Sequence, residues 1–192
     1  MKEEELLKKY SALYLEIIMR YKDEIEQGET LHVAELPKLI TPQDEAVLST
    51  VSKIKSAFSS YGYDDNFYDA ALQAHRYVKE RIVTLSPPIQ FWLKPSQVVG
   101  LGAGDVFDKA VLLCSMLIAL GNVSAKIITV IKDNTKKHVV YFEYREKMFA
   151  MDLENGVNEL QSKDVLLISM GVQKELEMTA YEFNDKMYND LM

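Results

Sequence analysis

The segment 105–120 constrains the fold of this chain more than any other, because its apolar residues lie on nearly every side of a helix. A helix of that kind is stable in water only when other elements cover it all round. Gly121 follows directly, at the position where a glycine commonly ends a helix. We therefore predict a buried central helix whose interior residues are Ala110, Val111, Leu112, Leu113, Met116, Leu117 and Ile118.

Short strands are predicted to follow this helix. Their residues alternate or are β-branched, and polar turn residues separate them. Consecutive short strands joined by tight turns form an antiparallel sheet, and a buried helix packed on such a sheet gives an α+β fold. The predicted strands are 125–131, 138–144, 148–152 and 176–183.

The first 84 residues are predicted to be helical. Apolar residues recur at helical spacing over 6–25, 47–58 and 68–82, with charged residues on the opposite faces. The second of these segments, 47–58, follows Thr41-Pro42-Gln43-Asp44, which resembles a capped helix start with proline at the first helical position. We expect a helical N-terminal region over 1–84 and an α+β core over 85–192, with Pro87-Pro88 between them.

Charge, apolar segments and cysteine count narrow the classes of function that this chain can have. The 192-residue chain has 22 Lys and Arg against 29 Asp and Glu, a formal charge of −7, so we expect no nucleic-acid partner. No segment has the length of a bilayer span or the apolar core of a signal peptide, so we expect a soluble cytoplasmic protein without membrane contact. The single cysteine, Cys114, and the absence of ligand-like spacing predict no metal and no cofactor.

Five sequence pieces occur in an order and spacing that is known from one family. They are FWLKP at 91–95, GAGDVFD at 102–108, Leu120-Gly121, His138 and Asp152. Together they resemble the transglutaminase-like superfamily, whose pattern has a tryptophan and proline ahead of Gly-Asp-Cys-x-Asp, a helix ending in Leu-Gly, a histidine strand and an aspartate strand. The resemblance covers about residues 91–156. It implies a cleft at the start of the central helix, with Trp92 and Asp105 beside it.

The resemblance also implies three catalytic positions. His138 takes the position of the base, Asp152 that of the acid that orients it, and Val106 that of the cysteine nucleophile with which family members exchange or cleave amides. Valine has no nucleophilic atom, so the acyl-enzyme mechanism cannot use this position. Cys114 cannot replace it, because eight residues of helix place it about 12 Å further along the axis. Among apolar neighbours we expect its pKa to be raised and its thiol to be inert.

Ordinary structural roles compete with each functional assignment. His138 and Asp152 could be simple strand residues, Asp105 an N-cap and Trp92 a core residue. The glycines of 98–104 fit a dinucleotide-binding loop poorly, because its third glycine would fall on Asp105. Tyr10, Tyr14 and Tyr21 on the first helix could pack on the core or form the seam of a homodimer.

The sequence thus leaves two classes of function open. The first is a pseudoenzyme with a transglutaminase-like fold that binds a peptide or protein segment, or serves assembly. The second is a hydrolase or acyltransferase in which His138 and Asp152 act with a non-thiol nucleophile such as bound water. The missing thiol favours the first class.

Overall fold

A computed structural model describes residues 2–20, 22, 33–85, 91–133, 135–172 and 178–191. Its helices are α1 (Lys2–Arg20), a 3-10 helix (Val33–Leu39), α2 (Glu45–Lys55), α3 (Tyr63–Arg81), α4 (Pro95–Leu101), α5 (Val106–Ala119) and α6 (Lys163–Ser169). Its strands are β1 (Val83–Thr84), β2 (Ala103–Gly104), β3 (Lys126–Lys132), β4 (Thr135–Tyr144), β5 (Lys147–Asp152), β6 (Gly156–Leu160), β7 (Thr179–Phe183) and β8 (Tyr188–Asp190).

Helix α5 is the buried central helix that the sequence predicts. Every residue from Phe107 to Leu117 is buried, so the helix is covered all round. Gly121, with φ of +114°, follows its C-cap, Leu120, as expected. Asp105 is its N-cap and forms a capping box with Asp108, which fixes where the helix begins.

Six strands form one antiparallel sheet in the order β6-β5-β4-β3-β7-β8. The α+β fold class is therefore confirmed, as are the strands expected around 125–131, 138–144 and 148–152. The strand expected over 176–183 begins at Thr179 among the described residues. Strands β6 and β8 and the short helices α4 and α6 are not predicted from the sequence.

The two faces of the sheet bury different residues. The face toward α5 carries Val140 and Phe142 of β4, with Phe149 and Met151 of β5. The face toward α6 carries Val139 and Tyr141 of β4 and Ala150 of β5, and these pack on Leu166 and Met170 of α6. Because side chains alternate along a strand, this division assigns every residue of β4 and β5 to a face.

Helix α6 is tied to the sheet by a buried carboxylate. Glu182 on β7 is 2% exposed and accepts a hydrogen bond from the Tyr141 hydroxyl at 2.5 Å. Nζ of Lys163, the first residue of α6, lies 3.2 Å from Oε2 of Glu182, and Lys126 pairs with Oε1 at 3.6 Å. Burial alone would raise the pKa of Glu182, but the tyrosine hydrogen bond and the two lysine charges hold it below its usual value. The carboxylate therefore fixes the start of α6 against the sheet.

The helical half shares the core of the sheet half. Val47 and Val51 of α2 and Phe67 of α3 belong to the same buried cluster as α5 and the strand residues on its side. Residues of the two predicted regions, 1–84 and 85–192, thus bury one another. On α1, Tyr14 and Ile18 pack against this cluster. Tyr21, the side chain of Tyr10 and Pro87-Pro88 lie outside the described residues.

One local expectation is corrected, and one alternative that the sequence disfavours is excluded by the observed helix. Asp44, whose Oδ1 accepts from the amide of Ala46 at 2.9 Å, is the N-cap of α2. Pro42 therefore precedes the helix and does not occupy its first position. Residues 95–101 form α4, so Gly100 lies in a helix and 98–104 is no loop after a strand. Among the described residues, no helix combines the length and apolar character that crossing a bilayer requires.

Candidate functional site

A groove of about 550 Å³ lies where α5 begins, beside β4 and the turn after β5. Val106, His138 and Asp152 all line it, so the structure brings together the three positions that the resemblance singles out. Leu166, Ser169 and Met170 of α6 form part of its wall. Trp92 and Asp105 are not among its lining residues.

Val106 is the first residue of α5, and its side chain is half-buried at the groove. The turn before it is tight: a Cβ on Gly104 would lie 3.0 Å from Cβ of Asp108. Asp108 donates its amide to Oδ1 of Asp105 at 2.7 Å, and its own carboxylate accepts the amides of Leu93 and Asp105 at 2.9 and 3.1 Å. Burial raises the pKa of Asp108 well above its usual range, and the charge of Asp105 adds to the effect. These carboxyl groups serve to cap the helix.

His138 is held by Thr129 on the neighbouring strand. Oγ1 of Thr129 and Nδ1 of His138 are hydrogen-bonded at 2.9 Å, and the two residues are paired across β3 and β4. The Phe107 ring packs edge-on against the imidazole, with centroids 5.1 Å apart. Burial, with a smaller contribution from the charge of Lys136, lowers the pKa of His138 to about 4. The imidazole is therefore neutral at pH 7.

Asp152 does not contact the imidazole of His138 as the sequence analysis expected. Val140 is paired with Met151, so the register sets Asp152 opposite Val139, on the α6 side of the sheet, whereas His138 faces α5. The Asp152 carboxylate instead accepts the amides of Glu154 and Asn155 at 2.7 and 3.0 Å and the side-chain amide of Asn155 at 2.7 Å. Burial would raise its pKa, but these hydrogen bonds hold it below the usual value. Its structural task here is to close the turn after β5.

Trp92 and Asp105 take the structural roles that competed with the cleft assignment. The Trp92 ring packs on that of Phe107, with centroids 5.8 Å apart. Asp105 is the N-cap of α5, and burial raises its pKa. Neither residue is among those that line the groove, and their predicted places in the cleft stay predictions.

Cys114 is fully buried in the middle of α5. Burial raises the pKa of its thiol far above the ordinary value, so the thiol stays protonated and unreactive. This agrees with the sequence-based argument against Cys114 as a nucleophile.

The sequence analysis missed Thr129 and the wall formed by α6. Thr129 carries no sequence signal, because its importance comes from strand pairing. Helix α6 does carry a sequence signal. Ser162 caps it by accepting a hydrogen bond from the amide of Val165 at 3.4 Å, and the apolar residues Leu166, Leu167 and Met170 follow at helical spacing.

The groove offers binding groups rather than a nucleophile. Its lining combines apolar side chains with charged residues of both signs, namely Lys136, Lys137, Asp152, Glu154 and Glu159. No group of three or more His, Cys, Asp or Glu side chains that could hold a metal ion occurs in the described ranges. The expectations of no metal and no cofactor stay predictions.

No family model matches the chain, and no curated protein matches it. Among solved structures it is similar to LapG of Legionella pneumophila, with a TM-score of 0.50 and 14% identity over 79% of this chain and 88% of LapG. The calcium-bound form of LapG gives a TM-score of 0.48 and 15% identity over 75% and 87% of the two chains. At such identity the likeness concerns the fold alone. The chain therefore shares an α+β fold similar to that of LapG.

Proposed function

We propose that this protein is a transglutaminase-like domain without thiol catalysis that binds an extended peptide or protein segment in the groove. The proposal rests on one observation above all. The groove is open at the start of α5, and an aliphatic side chain, Val106, stands there where a reactive group would be needed.

Three further features argue against acyl transfer. Valine has no atom that could form a covalent intermediate. His138, with a pKa of about 4, is a weak base at pH 7, and its Nδ1 is bonded to Thr129. Asp152 lies on the other side of the sheet and cannot orient the imidazole in this arrangement. These features support the proposal that position 106 carries no nucleophile and that no histidine–carboxylate relay acts on it.

The groove has the character of a binding site. Its volume, about 550 Å³, is within the range of pockets that hold small ligands or several side chains. An apolar floor with a few charged groups at the rim is the usual design of such sites. Charges of both signs in its lining suit a polypeptide better than a small ion.

Selection of peptides from a displayed random library tests the proposal. The binding constants of the selected peptides are then compared for the wild-type protein, Ser169→Trp and Ile168→Trp. Ser169 is exposed and lines the groove, so the indole fills it, whereas Ile168 on the same helix is 70% exposed and lies outside. We expect about tenfold or greater loss with Ser169→Trp and no loss with Ile168→Trp. Equal affinities for all three proteins, or no selected peptide, would refute the proposal.

A hydrolase that activates water is the second candidate, because the groove stays open beside a neutral imidazole that could accept a proton. Assays of the wild-type protein and His138→Gln on peptide, ester and amide substrates separate the candidates. Turnover that requires His138 would favour the hydrolase. Our proposal expects none.

The remaining parts of the proposal concern location and partners. We propose a cytoplasmic protein that binds neither nucleic acid nor membranes and that can form a homodimer. Cell fractionation, nucleic-acid and liposome binding assays, and light scattering coupled to size exclusion test these four statements separately.

A further inference from the structure

We infer that the groove takes its ligand as an added strand along the edge of β4, and that the ligand carries a basic residue, then a large apolar residue, then an acidic residue. This inference rests on the function proposed above and specifies the partner of the same groove. It starts from the way in which β4 extends past its neighbour.

The N-terminal end of β4 extends past the end of its neighbour β5. It begins at Thr135, and β3 pairs with it along this whole stretch, but the pairing with β5 begins only at Val140. Beyond that point the chain leaves β5 through the turn 153–155. In the part of the chain that the structure describes, no strand lies beside 135–138 on the β5 side, and Lys136, Lys137 and His138 line the open groove. An edge of this kind accepts an extended peptide through backbone hydrogen bonds.

The added strand would place its side chains alternately on the two sides of the sheet. On the α6 side it meets an apolar surface made by residues of three strands, of α6 and of its C-cap, namely Val139, Ala150, Leu160, Leu166 and Met170. This surface suits a large apolar side chain. On the α5 side the next residue meets Val106 and the neutral imidazole of His138, which offer no charge.

The ends of the groove set the direction of the ligand. A strand antiparallel to β4 continues the direction of β5, so its N-terminal end lies at the turn that carries Asp152 and Glu154. Its C-terminal end lies toward Lys136 and Lys137. Charge complementarity therefore requires a basic residue first and an acidic residue last. Four strand residues span about 14 Å, which matches the stretch of β4 that β5 leaves uncovered.

A dye-labelled peptide Arg-Thr-Leu-Thr-Glu with blocked ends is the probe, and its reversed-charge partner Glu-Thr-Leu-Thr-Arg is the control. We expect the first to bind about threefold to fivefold more tightly, as rim charges allow. The double variant Glu154→Arg, Lys137→Glu exchanges exposed charges of the rim, and it should reverse the preference. An unchanged preference in that variant would exclude the assigned direction.

N-methylation of the peptide backbone tests the added strand itself. Methyl groups on alternate amides should weaken binding about tenfold in one pattern and leave it nearly unchanged in the other, because only alternate amides face β4. Equal effects of the two patterns, or no binding of the probe, would overturn this inference. If library-selected peptides still bind and Ser169→Trp abolishes their binding, the proposed function stands without the added strand.

Discussion

Thr129 and His138 face each other across β3 and β4, with Oγ1 of the threonine 2.9 Å from Nδ1 of the imidazole. Thr129 is fully buried, so the histidine has a fixed polar partner inside the sheet. The hydrogen bond to Thr129 occupies Nδ1 of His138, and we expect it to contribute measurably to the free energy of unfolding.

Replacing Thr129→Val removes the hydroxyl and leaves Nδ1 of His138 without this partner. We expect the free energy of unfolding to fall by about 1–3 kcal/mol, the usual cost of an unsatisfied buried polar group. Urea denaturation measures it. Thr179→Val, at an exposed position of β7, is the matched control and should change the value by less than about 0.5 kcal/mol. Equal effects of the two substitutions would contradict the assigned role.

The low pKa of His138 predicts a pH dependence of stability. Its pKa is about 4 in the folded protein and about 6.5 when unfolded. Between these values the unfolded chain binds a proton that the folded chain does not, so stability falls as the pH is lowered from 6.5 to 4. The loss is limited to about 3 kcal/mol.

Comparison with His138→Gln isolates this contribution from that of the carboxylates. The difference in unfolding free energy between wild type and variant should become smaller as the pH falls from 6.5 to 4. A difference that does not depend on pH would show that the imidazole titrates normally.

The β4–β5 turn determines on which face Asp152 lies, and it can be tested directly. Arg145 and Glu146 have φ of +51° and +62°, which is costly for residues with a Cβ. Glu146→Gly should therefore stabilise the protein by about 0.5–1 kcal/mol. Glu143→Gly, on exposed β4, should destabilise it by a similar amount. Destabilisation by Glu146→Gly would mean that the turn, and with it the register, is not as described.

A cysteine at position 106 tests the geometry of the groove. Val106→Cys places a thiol at the first residue of α5, where the helix dipole favours the thiolate. We expect it to react with iodoacetamide at a lower pH than Val123→Cys, whose native side chain is 67% exposed. Wild-type protein is the blank, because Cys114 is fully buried. A thiol pKa at or above that of Val123→Cys would contradict the position given to residue 106.

The sequence predicts the central helix and three sheet strands because their signals are local. Apolar residues around 105–120 and the alternation in β3, β4 and β5 are periodic patterns within single segments. The fold class follows from them, since a buried helix and short antiparallel strands have few ways to pack.

The separation of Asp152 from His138 could not be predicted from the sequence, because it depends on one residue of loop length. A three-residue turn at 145–147 would set Asp152 opposite Val140, on the same face as His138. The observed turn has two residues, Arg145 and Glu146, and pairs Tyr144 with Lys147, so Asp152 moves to the other face. Two-residue hairpin turns commonly contain Asn-Gly or Asp-Gly, and this turn, Arg145-Glu146, contains neither.

The wall formed by α6 was missed for another reason. Residues 163–169 are a short helix, so its local signal is limited to the Ser162 cap and the apolar residues Leu166, Leu167 and Met170. Its contribution to the groove comes from the packing of Leu166 and Met170 on the sheet face away from α5. That contact joins segments far apart in sequence, which no local pattern encodes.

Titration of the isotope-labelled protein with a library-selected peptide, followed by backbone amide NMR, tests the central claim most directly. The account predicts saturable shifts in the amides of 137–139, 150–155 and 166–170, which border the groove. The same titration of Ser169→Trp should leave these amides unshifted. Shifts confined to α2 and α3, or turnover of the peptide during the titration, would contradict a non-catalytic binding groove at the start of α5.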